Sequence, residues 1–201
     1  MIKRIFDVTA SFLGLLVLLF PFICIGVAIA ATSRGGVFFK QVRVGLNGKT
    51  FRILKFRTMV ADAGKGRHVT VRNDARITPI GRILRKTKVD ELPQLFNVLI
   101  GQMSFVGPRP EVPQYVALYT DQQRGVLSVK PGITDIASIE FSNENELLSE
   151  SDNPEGKYIS EVMPIKLDLN LKYLEKRNFC YDITIILKTV TKLLMHRKSK
   201  K

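Results

Sequence analysis

Between Gly81 and Glu111 the chain reads GRILRKTKVDELPQLFNVLIGQMSFVGPRPE, and this stretch holds the residues best suited to chemistry. Asp90 and Glu91 stand directly before an apolar helical pattern of Leu92, Leu95, Phe96, Val98 and Leu99. Pro93 fits a first helical turn, where its missing N–H breaks no bond, so the pattern predicts Asp90 as the N-cap and Glu91 as the first helical residue. Arg82, Arg85, Lys86 and Lys88 lie upstream, and Arg109 follows between Pro108 and Pro110. Carboxylates ringed by cations at the positive end of a helix could hold a phosphate together with a divalent metal. A guanidinium on stiff proline backbone suits two-pronged phosphate recognition.

Those residues need a scaffold. At 201 residues the chain can bury one substantial core. The net charge of +13 implies an anionic partner. Between Gly35 and Thr87 there are thirteen Lys/Arg against Asp62 and Asp74, whereas Glu140 to Glu161 holds seven acids against Lys157. That acidic segment, and the lack of aromatics interleaved on a basic face, argue against nucleic acid as the partner. Cys24 and Cys180 have apolar surroundings and no metal-ligand spacing, so nothing requires an oxidising compartment.

From Val8 to Ser33 run 26 residues without a formal charge, enough to cross a bilayer, which takes about 20. Lys3 and Arg4 precede this segment, and Arg34, Lys40, Arg43 and Lys49 follow it, so the positive-inside rule pulls both ends to one side. Pro21 near its middle favours a kink. A returning helix and a plain tilted span are the two topologies these residues allow.

Further along, Val37 to Leu46 and Thr50 to Phe56 predict a two-stranded hairpin joined at Asn47-Gly48. Ala61 to Asp74 reads as a mobile loop, and Thr78-Pro79 as a helix start. Helices are expected over Glu111–Tyr119 and around Gln122–Leu127, a turn over Lys130–Thr134, and a strand over Asp135–Phe141. Then come a helix over Asn143–Glu150, a helical region over Lys157–Leu174 interrupted at Pro164, and a last helix over Asp182–His196. The last helix is amphipathic and reads as ordinary packing, followed by a basic tail. These elements predict an α+β, mainly helical fold, with residues 1–34 as a membrane-associated helix and 35–201 as the domain that carries the site.

Several runs resemble one family: Lys3-Arg4-Ile5-Phe6-Asp7, Leu54-Lys55-Phe56-Arg57-Thr58-Met59, Val89 to Val98, Met103 to Pro110, and Lys130-Pro131-Gly132-Ile133-Thr134. In this order they look like the bacterial sugar transferases known as monotopic phosphoglycosyl transferases, over most of the chain. The resemblance implies transfer of a phospho-sugar from a UDP-sugar to undecaprenyl phosphate with release of UMP, the first membrane step of a glycoconjugate pathway. It implies Asp90 as nucleophile and Glu91 as its companion, both as candidate ligands of Mg²⁺, and Lys55, Arg85 and Arg109 on phosphate oxygens. It also implies a re-entrant helix bent at Pro21 in the inner membrane of a bacterium, with the lipid bilayer as partner, the catalytic domain on the cytoplasmic face, and downstream glycosyltransferases as possible neighbours. Two departures stand out: Phe20 precedes Pro21 where the family often has Ser, and Asp135-Ile136 follows Thr134 where many members have Gly-Trp. The alternative is a membrane-tethered basic scaffold without catalysis, which would have no need of an acidic pair inside the cationic zone.

Overall fold

A computed structural model describes residues 1–60 and 74–198. The loop expected over Ala61–Asp74 lies, apart from Asp74, outside the described residues. Helix α1 (Ile2–Thr32) is unbroken, with Pro21 inside it. By length and composition it could cross a membrane.

The hairpin forms as the sequence predicts. β1 (Phe38–Val44) and β2 (Thr50–Phe56) pair antiparallel, with Val44 opposite Thr50. The connecting 3₁₀ turn, Leu46–Gly48, takes Asn47 to φ 54° and Gly48 to φ 75°, a left-handed conformation that Asn and Gly tolerate best. Thr78 caps α2 (Pro79–Lys86) by accepting from the Gly81 amide at 3.0 Å, and Pro79 supplies a φ already set for the first turn.

Beyond this point the structure departs from several expectations. A 3₁₀ turn, Val89–Glu91, precedes α3 (Gln94–Leu99), and no side chain caps either. Asp90 is therefore not an N-cap: Lys88, left-handed at φ 58°, turns the chain into the helical run earlier than the apolar pattern indicates. The stretch Lys130–Thr134 contains β4 (Gly132–Thr134), which pairs in parallel with β3 (Ser104–Val106). Asp135 to Phe141 is not a strand. Asp135 accepts from the Ser138 amide at 2.9 Å and from its hydroxyl at 2.5 Å, starting α5 (Ile136–Glu140), and this local cap outweighs the β-branched residues. The helix expected over Glu111–Tyr119 is the single turn α4 (Pro113–Val116), because Pro113 holds Val112 extended.

The remaining chain is helical. A 3₁₀ segment covers Gln123–Ser128, α6 covers Glu144–Ser149 and α7 covers Pro154–Lys157. A π-helical turn, Tyr158–Val162, then leads into α8 (Met163–Lys176), with Pro164 in its first turn, where a proline costs no intrahelical bond. α9 spans Phe179–Lys198. Ile185 is buried in it, while Leu187, Val190, Leu193 and Leu194 stay exposed, so its apolar face is only partly used in packing. With two small sheets among these helices, the class is α+β and mostly helical.

α1 touches the rest of the domain along its whole length. Near its start, Lys3 donates to the Val106 carbonyl at 2.8 Å and pairs with Asp182 at 2.5 Å. Arg4 donates to the carbonyls of Val98 and Leu99, at 2.7 and 2.9 Å, satisfying the end of α3. Buried Asp7 accepts from the Ser104 hydroxyl and the Phe105 amide. Further on, Phe22, Ile25 and fully buried Ile29 pack with Phe56 and Leu84, and the rings of Phe22 and Phe56 meet edge-on at 5.1 Å. The other side of α1, including Phe12, Leu16, Val17, Phe20 and Val27, is exposed and apolar.

Candidate active site

Three short elements converge on Asp90 and Glu91: the end of β2, the end of α2, and the loop after β3. Lys55 reaches Glu91 from β2, its ammonium 2.8 Å from Oε1. Arg109 donates to the same oxygen at 2.5 Å and to Oε2 at 3.3 Å. The Arg109 loop is fixed from both sides. Gly107 donates to the Thr134 carbonyl at 3.1 Å and Gly132 donates to that of Pro108 at 3.0 Å. These two glycines pack backbone against backbone, leaving no room for a Cβ on either. On the far side, Arg43 donates to the Pro110 carbonyl at 3.0 Å and the Val44 amide donates to Glu111.

The neighbouring carboxylates meet opposite electrostatic surroundings. Burial pushes the Glu91 pKa up, but Arg109 and then Lys55 outweigh it and hold this carboxyl well below the usual range. Arg109 is correspondingly raised, chiefly by Glu91. Lys55 is lowered, because burial outweighs the attraction of Glu91. Asp90 is instead raised, first by burial and then by the charge of Glu91, with Lys55, Lys88 and Arg85 opposing. Its carboxylate has no hydrogen-bond or ion-pair partner among the described residues, and its Oδ1 is sealed from solvent. Arg85 donates through Nε to the Thr58 hydroxyl at 2.8 Å; burial lowers its pKa, while Asp90 supplies the largest opposing attraction.

All five residues expected at the site thus gather here, divided into two sets. Lys55 and Arg109 clamp Glu91, while Arg85 lies in the field of Asp90, whose oxygens have no partner among the described residues. Pro21 lies apart from them, within α1. Sequence reasoning missed the support around the site. Asn97 accepts from the Leu54 amide at 3.0 Å and donates to the Arg52 carbonyl at 2.9 Å, pinning α3 to β2 beside Lys55. The available signal was a polar residue at a core-facing position of an apolar helix. Lys3, Arg4 and Asp7 are likewise tethers to the domain, where sequence alone suggested a topology signal for Lys3 and Arg4.

For a divalent metal the fit rests on Asp90. The described residues contain no group of three His, Cys, Asp or Glu side chains able to hold an ion. Glu91, expected as a second ligand, has both oxygens engaged by Arg109 and Lys55. Asp90 Oδ1 is an unmatched acceptor. Mg²⁺ commonly takes one or two carboxylates and completes its shell from substrate phosphates and water, which suits this donor set.

Fold and site together define a domain built along an apolar helix of membrane-crossing length, presenting one bare and one clamped carboxylate among fixed cations. The family model described as bacterial sugar transferase matches residues 1–196. The chain belongs to that family. It is 39% identical over 195 residues to a Bacillus subtilis (strain 168) protein named uncharacterized sugar transferase EpsL, covering 96% of this chain and 88% of the relative. It is 32% identical to the exopolysaccharide production protein ExoY of Rhizobium meliloti (strain 1021), covering 99% of this chain and 88% of that protein. A Klebsiella pneumoniae protein named UDP-glucose:undecaprenyl-phosphate glucose-1-phosphate transferase is 36% identical over 98% of this chain, which spans only 41% of that relative's length.

Proposed function

We propose that this protein transfers a sugar 1-phosphate from a UDP-sugar to undecaprenyl phosphate, releasing UMP, by way of a covalent phospho-sugar on Asp90. The observation that carries this reading is the unequal treatment of the acidic pair. Glu91 is saturated by Arg109 and Lys55, while Asp90, one residue earlier, is buried with a bare carboxylate and a raised pKa. A bare carboxylate in a low-dielectric site is a stronger nucleophile than one solvated or ion-paired. The name of the Klebsiella relative supports the choice of donor and acceptor.

In this mechanism an oxygen of Asp90 attacks the β-phosphorus and the bond to the UMP oxygen breaks. UMP leaves, and the sugar phosphate remains as an acyl phosphate. The phosphate of undecaprenyl phosphate then attacks the same phosphorus and frees the Asp90 carboxylate. Lys55 and Arg109, already held by Glu91, would share their donors with phosphate oxygens, and Arg85 would stand on the Asp90 side. Asp90 would hold Mg²⁺ through one oxygen. When bound, that ion offsets the charge of the diphosphate.

The acceptor is a lipid, and α1 supplies the route. About 46 Å long at 1.5 Å per residue, it meets one domain both at Lys3, Arg4 and Asp7 and at Phe22, Ile25 and Ile29. A helix crossing a bilayer upright would carry its two ends to opposite faces. We therefore place both ends on one side, the cytoplasmic face of the inner membrane, with the helix entering one leaflet and the exposed face of α9 beside it. Later glycosyltransferases would take up the product from the same leaflet. A scaffold without catalysis gives no reason to bury a bare carboxylate, which costs stability.

The test is a panel of UDP-sugars incubated with the membrane-reconstituted protein, undecaprenyl phosphate and Mg²⁺, with UMP as readout. Release from at least one sugar is expected. A folded protein that releases UMP from none would overturn the proposal.

A further inference from the structure

Asp90, Gln94 and Asn97 follow one another at spacings of four and three residues along the run from Val89 to Leu99. Asp90 lies in the 3₁₀ turn ahead of α3, and the three-residue spacing of Gln94 and Asn97 within α3 puts those two on one helical face. All three are buried, at 7%, 1% and 4% exposure, and the other inward residues of α3, Leu95 and Val98, are apolar. The direction of the stripe is fixed by Asn97, whose side chain bonds to Leu54 and Arg52 of β2 and to Gln102. Gln94 lies one turn closer to Asp90 on that face, and helical side chains lean towards the N-terminus, which is towards Asp90.

Asn97 is matched on both its oxygen and its nitrogen. The two residues ahead of it are not: Asp90 Oδ1 is a sealed acceptor and Gln94 Nε2 a sealed donor, each without a partner among the described residues. Leaving a buried donor unmade costs free energy that an apolar side chain of the same shape would avoid. Two such atoms, of opposite hydrogen-bonding sense and on residues four apart in the chain, point to a missing group that offers an electrophilic atom to one and an acceptor to the other. A phosphoryl group does both.

We infer that Gln94 is a further catalytic residue: its carboxamide N–H donates to a non-bridging oxygen of the phosphoryl group as Asp90 attacks the phosphorus. No proton is transferred. The donor is fixed in place before the reaction and strengthens its bond as charge builds on that oxygen, which is the behaviour that lowers a barrier. This rests on the phosphoryl-transfer reading above, and on Asp90 as its nucleophile.

The experiment compares wild type, Gln94→Met and Gln94→Glu, using a UDP-sugar that wild type accepts, and records kcat, KM, pH profile and melting temperature. Gln94→Met keeps the length and loses the donor. Its kcat is expected to fall roughly ten- to a hundredfold with KM within about threefold of wild type. Its melting temperature should be unchanged or higher, since an unmatched donor has been replaced by an apolar group. Gln94→Glu should be slower still at neutral pH, and its rate relative to wild type at the same pH should recover as acid protonates the introduced carboxyl into a donor. A Gln94→Met rate within twofold of wild type overturns the inference, as does a loss of rate matched by a fall in melting temperature, which would make Gln94 a packing residue. Should Gln94→Met not fold, Gln94→Glu decides by itself, and a wild-type rate at all pH values is the refuting result. Each of these outcomes requires that wild type release UMP, so failure of the parent reading shows separately, as wild type inactive on every UDP-sugar.

Discussion

Changing each member of the acidic pair to its carboxamide should move stability in opposite directions. Glu91→Gln keeps the shape but leaves Arg109 and Lys55 facing a neutral group, with side chains only 29% and 18% exposed. Breaking a buried pair by removing one partner costs about 3–5 kcal/mol. For a chain of this size about 1 kcal/mol moves the melting temperature by roughly 2–4 °C, so a fall on the order of 10 °C is expected. Asp90→Asn removes a charge that has no partner among the described residues and should gain about 1 kcal/mol, a rise of a few degrees, because the amide still leaves polar atoms in the site. The pH dependence also differs. Asp90 has its folded pKa raised, so its ionisation weakens the fold as pH rises through that value, and the Asp90→Asn gain should shrink in acid. Glu91 has its folded pKa depressed, so its contribution is present above the usual carboxylate range and is lost as pH falls through the depressed value. Circular dichroism melts of the three proteins in one detergent, at pH 8, pH 5 and about pH 3, read both effects. Equal destabilisation by the two substitutions would refute the assignment of one clamped and one bare carboxylate.

The rate against pH carries the same asymmetry: burial raises the pKa of Asp90 in the metal-free protein, so a proton competes with Mg²⁺ for it and the acidic limb of kcat/KM should move to lower pH as Mg²⁺ is raised. A limb that stays fixed at all Mg²⁺ concentrations would remove Asp90 as the titrating metal ligand. Arg109→Ala should lower kcat/KM roughly ten- to a hundredfold, and Arg109→Lys should recover only part, since a point charge does not replace a two-pronged donor; unchanged kinetics in Arg109→Ala would leave it a structural role only. Because Lys3, Arg4 and Asp7 bind the start of α1 to the domain, Ile2→Cys and Asp121→Cys, each in a Cys24→Ala, Cys180→Ala background, should be labelled from the same membrane face. Labelling from opposite faces would make α1 a plain span.

Local signals in the sequence were reliable where the deciding interaction is itself local. Asn47-Gly48 places the hairpin turn and Thr78-Pro79 the start of α2, because the left-handed backbone and the cap are made by those residues themselves. Asp135 is the instructive error: the same kind of cap was present, yet the β-branched residues after it suggested a strand. The pairing of β3 with β4 was out of reach, since strands of three residues each, joined in parallel across a long connection, leave no periodicity to read. At the site the motifs named the right residues but not their division. Nothing in the spacing tells that Lys55 crosses 36 positions to Glu91 and leaves Asp90 bare. That is settled by where β2 meets the 3₁₀ turn ahead of α3. Lys3 and Arg4 show the same limit: read as charge they suggest sidedness, whereas in the fold they close the end of α3 and hold α1 against β3.

The most direct test of the central claim omits the lipid acceptor. A UDP-sugar labelled in its β-phosphate is mixed with the protein and Mg²⁺, quenched in acid within a single turnover, and the protein is digested and mapped. The account predicts UMP release up to one equivalent per protein, with the label on the peptide containing Asp90 and absent from Asp90→Asn. UMP formed only when undecaprenyl phosphate is present, with no label on the protein, would contradict it.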